Sequence, residues 1–123
     1  MRLPTAFALL PALALLWGCD KPPVARADAG RGDAEDGRTT VASLACGACH
    51  SIPGIRAADG TVGPSLAGLG NRNFIAGTLP NNPGTLAAFV RNAPSLVPGT
   101  AMPAMPLSEA QAIDVAAFLA SLR

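Results

Sequence analysis

The sequence has no tyrosine, a single lysine (Lys21) and a single histidine among its 123 residues. Aromatic side chains make up only 4% of the chain, and the formal net charge is +1. Because proteins that bind nucleic acid present clustered basic side chains, this composition excludes that class. The length allows one small domain, and a core with so few large side chains is marginal by itself.

The single histidine ends the pentapeptide Cys46-Gly47-Ala48-Cys49-His50, which has the form C-x-x-C-H. This pattern is the attachment signature of c-type haem. Two thiols separated by two residues fit on about one helical turn, where both can add to the vinyl groups of one haem. The imidazole of His50 is then the proximal ligand of the iron. We therefore predict one covalent haem c, whose apolar bulk complements the aromatic-poor core.

Three other uses of a C-x-x-C pair fit this chain less well. A structural zinc site needs four ligands, and the third cysteine, Cys19, lies in a segment that resembles a processed leader. A thioredoxin-like redox pair belongs beside a βαβ pattern, and the sequence has no β-rich, period-two run. A disulfide between Cys46 and Cys49 would close a cramped loop of little use.

The N-terminal segment has the pattern of an export signal. In residues 1–18, one basic residue is followed by a mostly apolar run, which is typical of a signal peptide. The run is short for a membrane span, which needs about 20 residues. The four residues that end at Cys19 resemble a bacterial lipoprotein box, although Trp17 departs from it. The resemblance implies that Cys19 is lipidated and anchors the chain to a membrane. The alternative is a free exported thiol.

Residues 19–36 combine proline, glycine, alanine and charges of both signs without an apolar period. This composition predicts a flexible tether. We therefore expect a domain over residues 37–123, held at the periplasmic face of a membrane. If Cys19 is not acylated, we expect the same domain to be soluble in the periplasm.

Three helices are predicted within the domain. One leads into the haem motif, one runs from a cap at Asn82 to Asn92, and the last begins at Ser108, which forms a capping box with Gln111. Glycine and proline predict loops between them. The apolar side chains expected to face the core are Val41, Leu44, Ala45, Leu86, Phe89, Val90, Val115, Phe118, Leu119 and Leu122.

Several residues outside the pentapeptide are candidates for the haem site. A metal-bound histidine usually donates its second ring N–H to a carbonyl, and Pro64 offers a carbonyl on a rigid backbone. Arg72 is a candidate to pair with a haem propionate, since a guanidinium matches a carboxylate. A methionine sulfur can close the sixth iron position. The residues alone leave Met102 and Met105 both open for that role.

The order of these motifs resembles that of class I cytochromes c. The match rests on CGACH, GPSL, PGTAM and a C-terminal helix that ends in AAFLASLR. The segments GPSLAGLGNR, IAGTLPNNPG and VPGTAMPAMPLSEAQ are also similar to the haem domain of subunit II of some bacterial cytochrome c oxidases. The resemblance implies an all-α fold in which helices and loops wrap around one covalent haem, with the N- and C-terminal helices crossing.

The resemblance also implies roles for single residues. Cys46 and Cys49 would form the thioether bonds, His50 would be the proximal ligand, and the Pro64 carbonyl would support it. Met102 would be the distal ligand, with Met105 as the alternative.

The implied function is single-electron transfer in a respiratory chain, without transformation of a substrate. A bc1-type complex is the expected kind of donor and a terminal oxidase the expected kind of acceptor. Two alternatives stay open: a haem peroxidase or gas sensor with a labile sixth ligand, and a fixed haem subunit of a dehydrogenase or oxidase. The scarcity of lysine predicts weak steering by charge, and a tether that raises local concentration is the expected substitute.

Overall fold

The computed structural model describes residues 31–123. The signal peptide predicted for residues 1–18, the lipidation of Cys19 and most of the tether lie outside them. In the described part of the chain, no helix is both long and apolar enough to cross a membrane. The elements, in chain order, are α1 (Ala34–Ser43), a 3₁₀ turn (Cys46–Ala48), a second 3₁₀ turn (Leu69–Asn71), β1 (Phe74–Ile75), β2 (Leu79–Pro80), α2 (Pro83–Arg91), α3 (Ala93–Leu96) and α4 (Glu109–Ser121).

The mostly helical architecture confirms the predicted fold class. One departure is the small antiparallel hairpin of β1 and β2, in which Phe74 pairs with Pro80 and Ile75 with Leu79. The sequence pattern predicts no strand in this segment, and it does not predict the short helix α3.

Helix α1 begins at Ala34, three residues before the predicted domain boundary at residue 37. Asp33 caps it: its Oδ1 accepts hydrogen bonds from the backbone N–H groups of Glu35 (2.8 Å) and Asp36 (3.1 Å). Acidic side chains in the first turn also complement the helix dipole. The first three residues of the helix thus belong to the segment predicted as a tether, because a cap and charges, rather than an apolar period, start this helix.

Helices α1 and α4 cross at Gly37, which is buried. A Cβ at this position would overlap the Asp114 carbonyl group, so the two backbones approach closely only because residue 37 has no side chain. The backbone N–H of Asp33 donates to the buried Asp114 carboxylate at 2.8 Å. Val41, with 1% of its surface exposed, packs one turn further along. This crossing holds the helix that leads into the C-x-x-C-H motif.

The other two predicted helix starts are present. Asn82 Oδ1 accepts from the Thr85 N–H at 2.9 Å at the start of α2. Ser108 and Gln111 exchange two hydrogen bonds, of 3.0 and 3.1 Å, in the capping box of α4. Both helices contribute to one hydrophobic core with α1, and this core forms the wall behind the candidate site.

Candidate haem site

A cavity of about 660 Å³ opens between α1, the hairpin, α2, α4 and the loop that follows α3. Most of its lining is aliphatic or aromatic. The lining includes every residue that the sequence predicted for the site: Cys46, Cys49, His50, Pro64, Arg72, Met102 and the alternative Met105. The fold thus brings together residues that are up to 59 positions apart, counting from Cys46 to Met105.

The two cysteines lie on the turn that follows α1. The backbone N–H groups of Cys49 and His50 both donate to the Cys46 carbonyl, at 3.2 and 3.0 Å. Both thiols are free, with Cys46 half-buried and Cys49 exposed. Burial raises the pKa of the Cys46 thiol; a backbone hydrogen bond opposes the rise, and the nearby Cys49 adds to it. The cavity wall therefore favours the neutral form of the Cys46 thiol.

His50 is oriented by the loop that carries Pro64. Its Nδ1 lies 2.7 Å from the Pro64 carbonyl oxygen. Since a carbonyl only accepts, Nδ1 carries the proton, and Nε2 keeps the lone pair that binds a metal. The neighbouring Gly63 N–H donates to the Cys49 carbonyl at 2.7 Å and fixes this loop against the haem motif.

Arg72 reaches the cavity lining but is already hydrogen-bonded to the backbone. Its Nη2 donates to the carbonyls of Ser65 (2.8 Å) and Ala67 (3.0 Å). A guanidinium has five N–H donors, so these two bonds do not exhaust it. Asn81, whose role the sequence pattern does not predict, stabilises the same segment: its Nδ2 donates to the carbonyls of Arg72 and Leu69, each at 2.8 Å. Propionate pairing by Arg72 stays a prediction.

Both candidate methionines line the cavity and are half-buried. One long-range backbone bond fixes Met105, since its N–H donates to the Arg91 carbonyl at 3.1 Å; its carbonyl accepts locally from the Leu107 N–H at 2.7 Å. The Met102 N–H has only a local partner, the Thr100 hydroxyl, at 3.3 Å. Because both sulfurs belong to the same cavity, the choice of Met102 as distal ligand stays a prediction.

These residues fit a covalently attached haem. The cavity is apolar, two thiols stand at one wall, and the imidazole has the tautomer that binds iron. Thioether sulfur, a soft donor, is available in the same cavity. The combination defines a c-type haem site.

A comparison with protein families agrees with this assignment. The family model of cytochrome c matches residues 34–123. The match begins at the first residue of α1 and covers every described helix. The chain therefore belongs to the cytochrome c family, and its cofactor is covalently bound haem c.

The chain is also similar to two individual proteins, one in sequence and one in structure. Over 91 residues, the chain is 37% identical to cytochrome c oxidase subunit 2 of Alkalihalophilus pseudofirmus; the match covers 73% of this chain and 26% of that protein. The chain thus spans about a quarter of the length of this relative. A chain in the crystal structure of SoxXA from P. pantotrophus superposes with a TM-score of 0.55 and 29% identity, covering 74% of this chain and 82% of that one.

Proposed function

We propose that this c-type haem electron carrier has a closed iron site, with His50 as the proximal and Met102 as the distal ligand. The shared cavity supports this proposal: its apolar lining includes the His50 imidazole, with Nε2 available, and the thioether side chains of Met102 and Met105. When bound, the haem supplies reversible one-electron chemistry between ferrous and ferric iron. The Pro64 carbonyl holds the imidazole in the metal-binding tautomer, and the apolar side chains exclude water.

We propose that the protein exchanges electrons with a terminal oxidase and a bc1-type donor and does not transform a substrate. The similarity to a cytochrome c oxidase subunit 2 supports a terminal oxidase as the partner. The matching segment makes up 26% of that relative. In this sequence, it follows the lipoprotein-like sequence at Cys19. We further propose that lipidated Cys19 holds this domain at the periplasmic face of a membrane.

The charge distribution indicates how the domain docks. Between Asp59 and Glu109 the sequence contains only two charged residues, Arg72 and Arg91, and this stretch supplies more than half of the cavity lining. The two arginines are 19 positions apart in the sequence, so this stretch has no run of basic residues of the kind that steers association over a distance. Anchoring near the partner therefore replaces steering by charge.

We expect Cys19→Ser to release the protein from the membrane without loss of haem. With this soluble form, the second-order rate constant for electron transfer to a purified terminal oxidase should change by less than about threefold between low and physiological salt, whereas steering by charge produces changes of ten-fold or more. Fractionation and stopped-flow absorption measure the two effects.

The unsubstituted protein, incorporated into the same membranes as the oxidase, is the control. It should reduce the oxidase faster than the released form at equal protein concentration. A released form with a steep salt dependence would contradict the docking proposal. A Cys19→Ser variant that stays in the membrane fraction would contradict the anchor, and an oxidase that accepts no electrons from either form would contradict the proposed partner.

A further inference from the structure

The side chain of Arg72 binds the loop that carries the Pro64 carbonyl. Its Nη2 atom donates to the carbonyl of Ser65 at 2.8 Å and to that of Ala67 at 3.0 Å. Both acceptors follow Pro64 closely in the chain. Hydrogen bonds from a charged donor are stronger than those between neutral groups. The guanidinium therefore restrains the backbone on the C-terminal side of Pro64.

The position of the Pro64 carbonyl depends on its neighbours in this loop. Proline has no N–H, so Pro64 itself donates no hydrogen bond to the rest of the fold. Its carbonyl oxygen lies 2.7 Å from His50 Nδ1. The Leu66 N–H donates to the Ser51 carbonyl at 2.9 Å, which holds the loop beside the residue that follows His50. The two bonds from Arg72 restrain the same short segment.

The backbone of Arg72 is itself held in place. Asn81 Nδ2 donates to the carbonyls of Leu69 and Arg72, each at 2.8 Å. The Gly70 N–H donates to the Leu122 carbonyl at 2.8 Å, so the 3₁₀ turn before Arg72 is attached to the end of α4. Arg72 therefore extends from a fixed backbone to the loop of the proximal ligand.

We propose that Arg72 positions the Pro64 carbonyl against His50 and thereby controls the hydrogen bond that tunes the proximal ligand. This inference rests on the proposed role of His50 as a ligand of the iron. A hydrogen bond from the second ring N–H raises the basicity of a ligating imidazole, and a more basic ligand favours ferric iron. Arg72 is a positioning residue, because it acts on the iron through Pro64 and His50, whichever protein receives the electron.

The test follows the Nδ1 proton of His50 in the haem-bound, ferrous protein. Because His50 is the only histidine, labelling with nitrogen-15 histidine gives the NMR signals of this residue alone. Arg72→Lys keeps the positive charge but loses the guanidinium fork. We expect the Nδ1 proton to exchange with deuterium about fivefold faster or more in this variant, as the loss of one hydrogen bond implies. The reduction potential should rise, because a less basic imidazole favours ferrous iron.

Two further variants separate positioning from charge and from stability. Arg38 Nη2 also donates to a carbonyl, that of Gly54, at 2.8 Å, but Arg38 does not line the cavity. Arg38→Lys should therefore leave the exchange rate and the potential unchanged. Asn81→Ala removes the bond to the Arg72 backbone without a change of charge, and it should also speed the exchange. All rates are compared with those of the slowest amide protons of α4, so that a general loss of stability is recognised.

The proposal is wrong if Arg72→Lys leaves the exchange of the Nδ1 proton unchanged, if Arg38→Lys speeds it equally, or if the α4 amides speed up by the same factor. A potential that falls in Arg72→Lys also overturns it. The Nε2 signal of the unsubstituted protein shows separately whether His50 binds iron, so a failure of the proposed ligand is distinguished from a failure of Arg72 alone. If the sixth position proves open, the carbon monoxide complex, in which ferrous iron is diamagnetic, serves for the same comparison.

Discussion

Replacing Met102 with alanine should lower the reduction potential of the haem by on the order of 100 mV or more. A thioether ligand favours ferrous iron, so His/Met ligation raises the potential, and axial ligands as a class set it over about 0.8 V. The substitution removes one of two thioethers in an apolar cavity and adds no polar group. Redox titration measures the potential, and the far-red absorption band of the ferric protein, which reports sulfur bound to iron, should disappear.

Met105→Ala is the matched control, since it removes the same side chain from the same cavity. This variant should keep the far-red band and a potential close to that of the unsubstituted protein. Its free energy of unfolding should fall because packing is lost. A methionine-to-alanine change in a core costs about 2–5 kcal/mol, and we expect less here because the Met105 side chain is only half-buried. The reverse pattern, with the band lost only in Met105→Ala, would assign the distal role to Met105.

Gly63→Ala should disrupt the proximal side of the site. A Cβ at residue 63 would lie 2.6 Å from His50 Nδ1, and other atoms of the imidazole ring are also within 3 Å. Either the ring or the Gly63–Pro64 backbone must move, which breaks the 2.7 Å contact between His50 Nδ1 and the Pro64 carbonyl. Overpacking costs about 1–3 kcal/mol and the lost hydrogen bond about 1 kcal/mol. We expect the free energy of unfolding to fall by about 2–4 kcal/mol.

The control is Gly84→Ala, because the nearest atom to a Cβ there is Asn82 Oδ1 at 3.6 Å. It should leave stability within about 0.5 kcal/mol of the unsubstituted protein or raise it slightly, since alanine favours helix. Chemical denaturation of the haem-bound proteins measures both changes, and the reduction potential reports the His50 environment. Equal stability and potential in Gly63→Ala and Gly84→Ala would show that the imidazole does not occupy this position.

The sequence predicted the parts of the fold that local chemistry determines. The caps at Asn82 and Ser108 start α2 and α4 where expected, because a side-chain acceptor satisfies the open N–H groups of the first turn. The C-x-x-C-H motif predicted the cofactor for the same reason: two thiols and an imidazole on one turn need no distant partner to be recognised.

Features that depend on distant contacts were harder to predict. The start of α1 has exposed, charged residues and no apolar period, so Asp33 and the contact with Asp114 determine it. Strands β1 and β2 are two residues each, too short to show alternation. The two methionines are three positions apart on one loop and line one cavity, so pattern alone does not separate them.

A closed iron site requires that side chains of this chain fill both axial positions of the iron. Mixing the ferrous, full-length protein with carbon monoxide tests it directly, because the gas binds quickly only where a coordination position is open or its ligand is labile. We predict that the visible absorption spectrum stays unchanged over minutes and that Met102→Ala binds the gas at once. Rapid binding by the unsubstituted protein would contradict the closed site and would instead support a sensor or peroxidase.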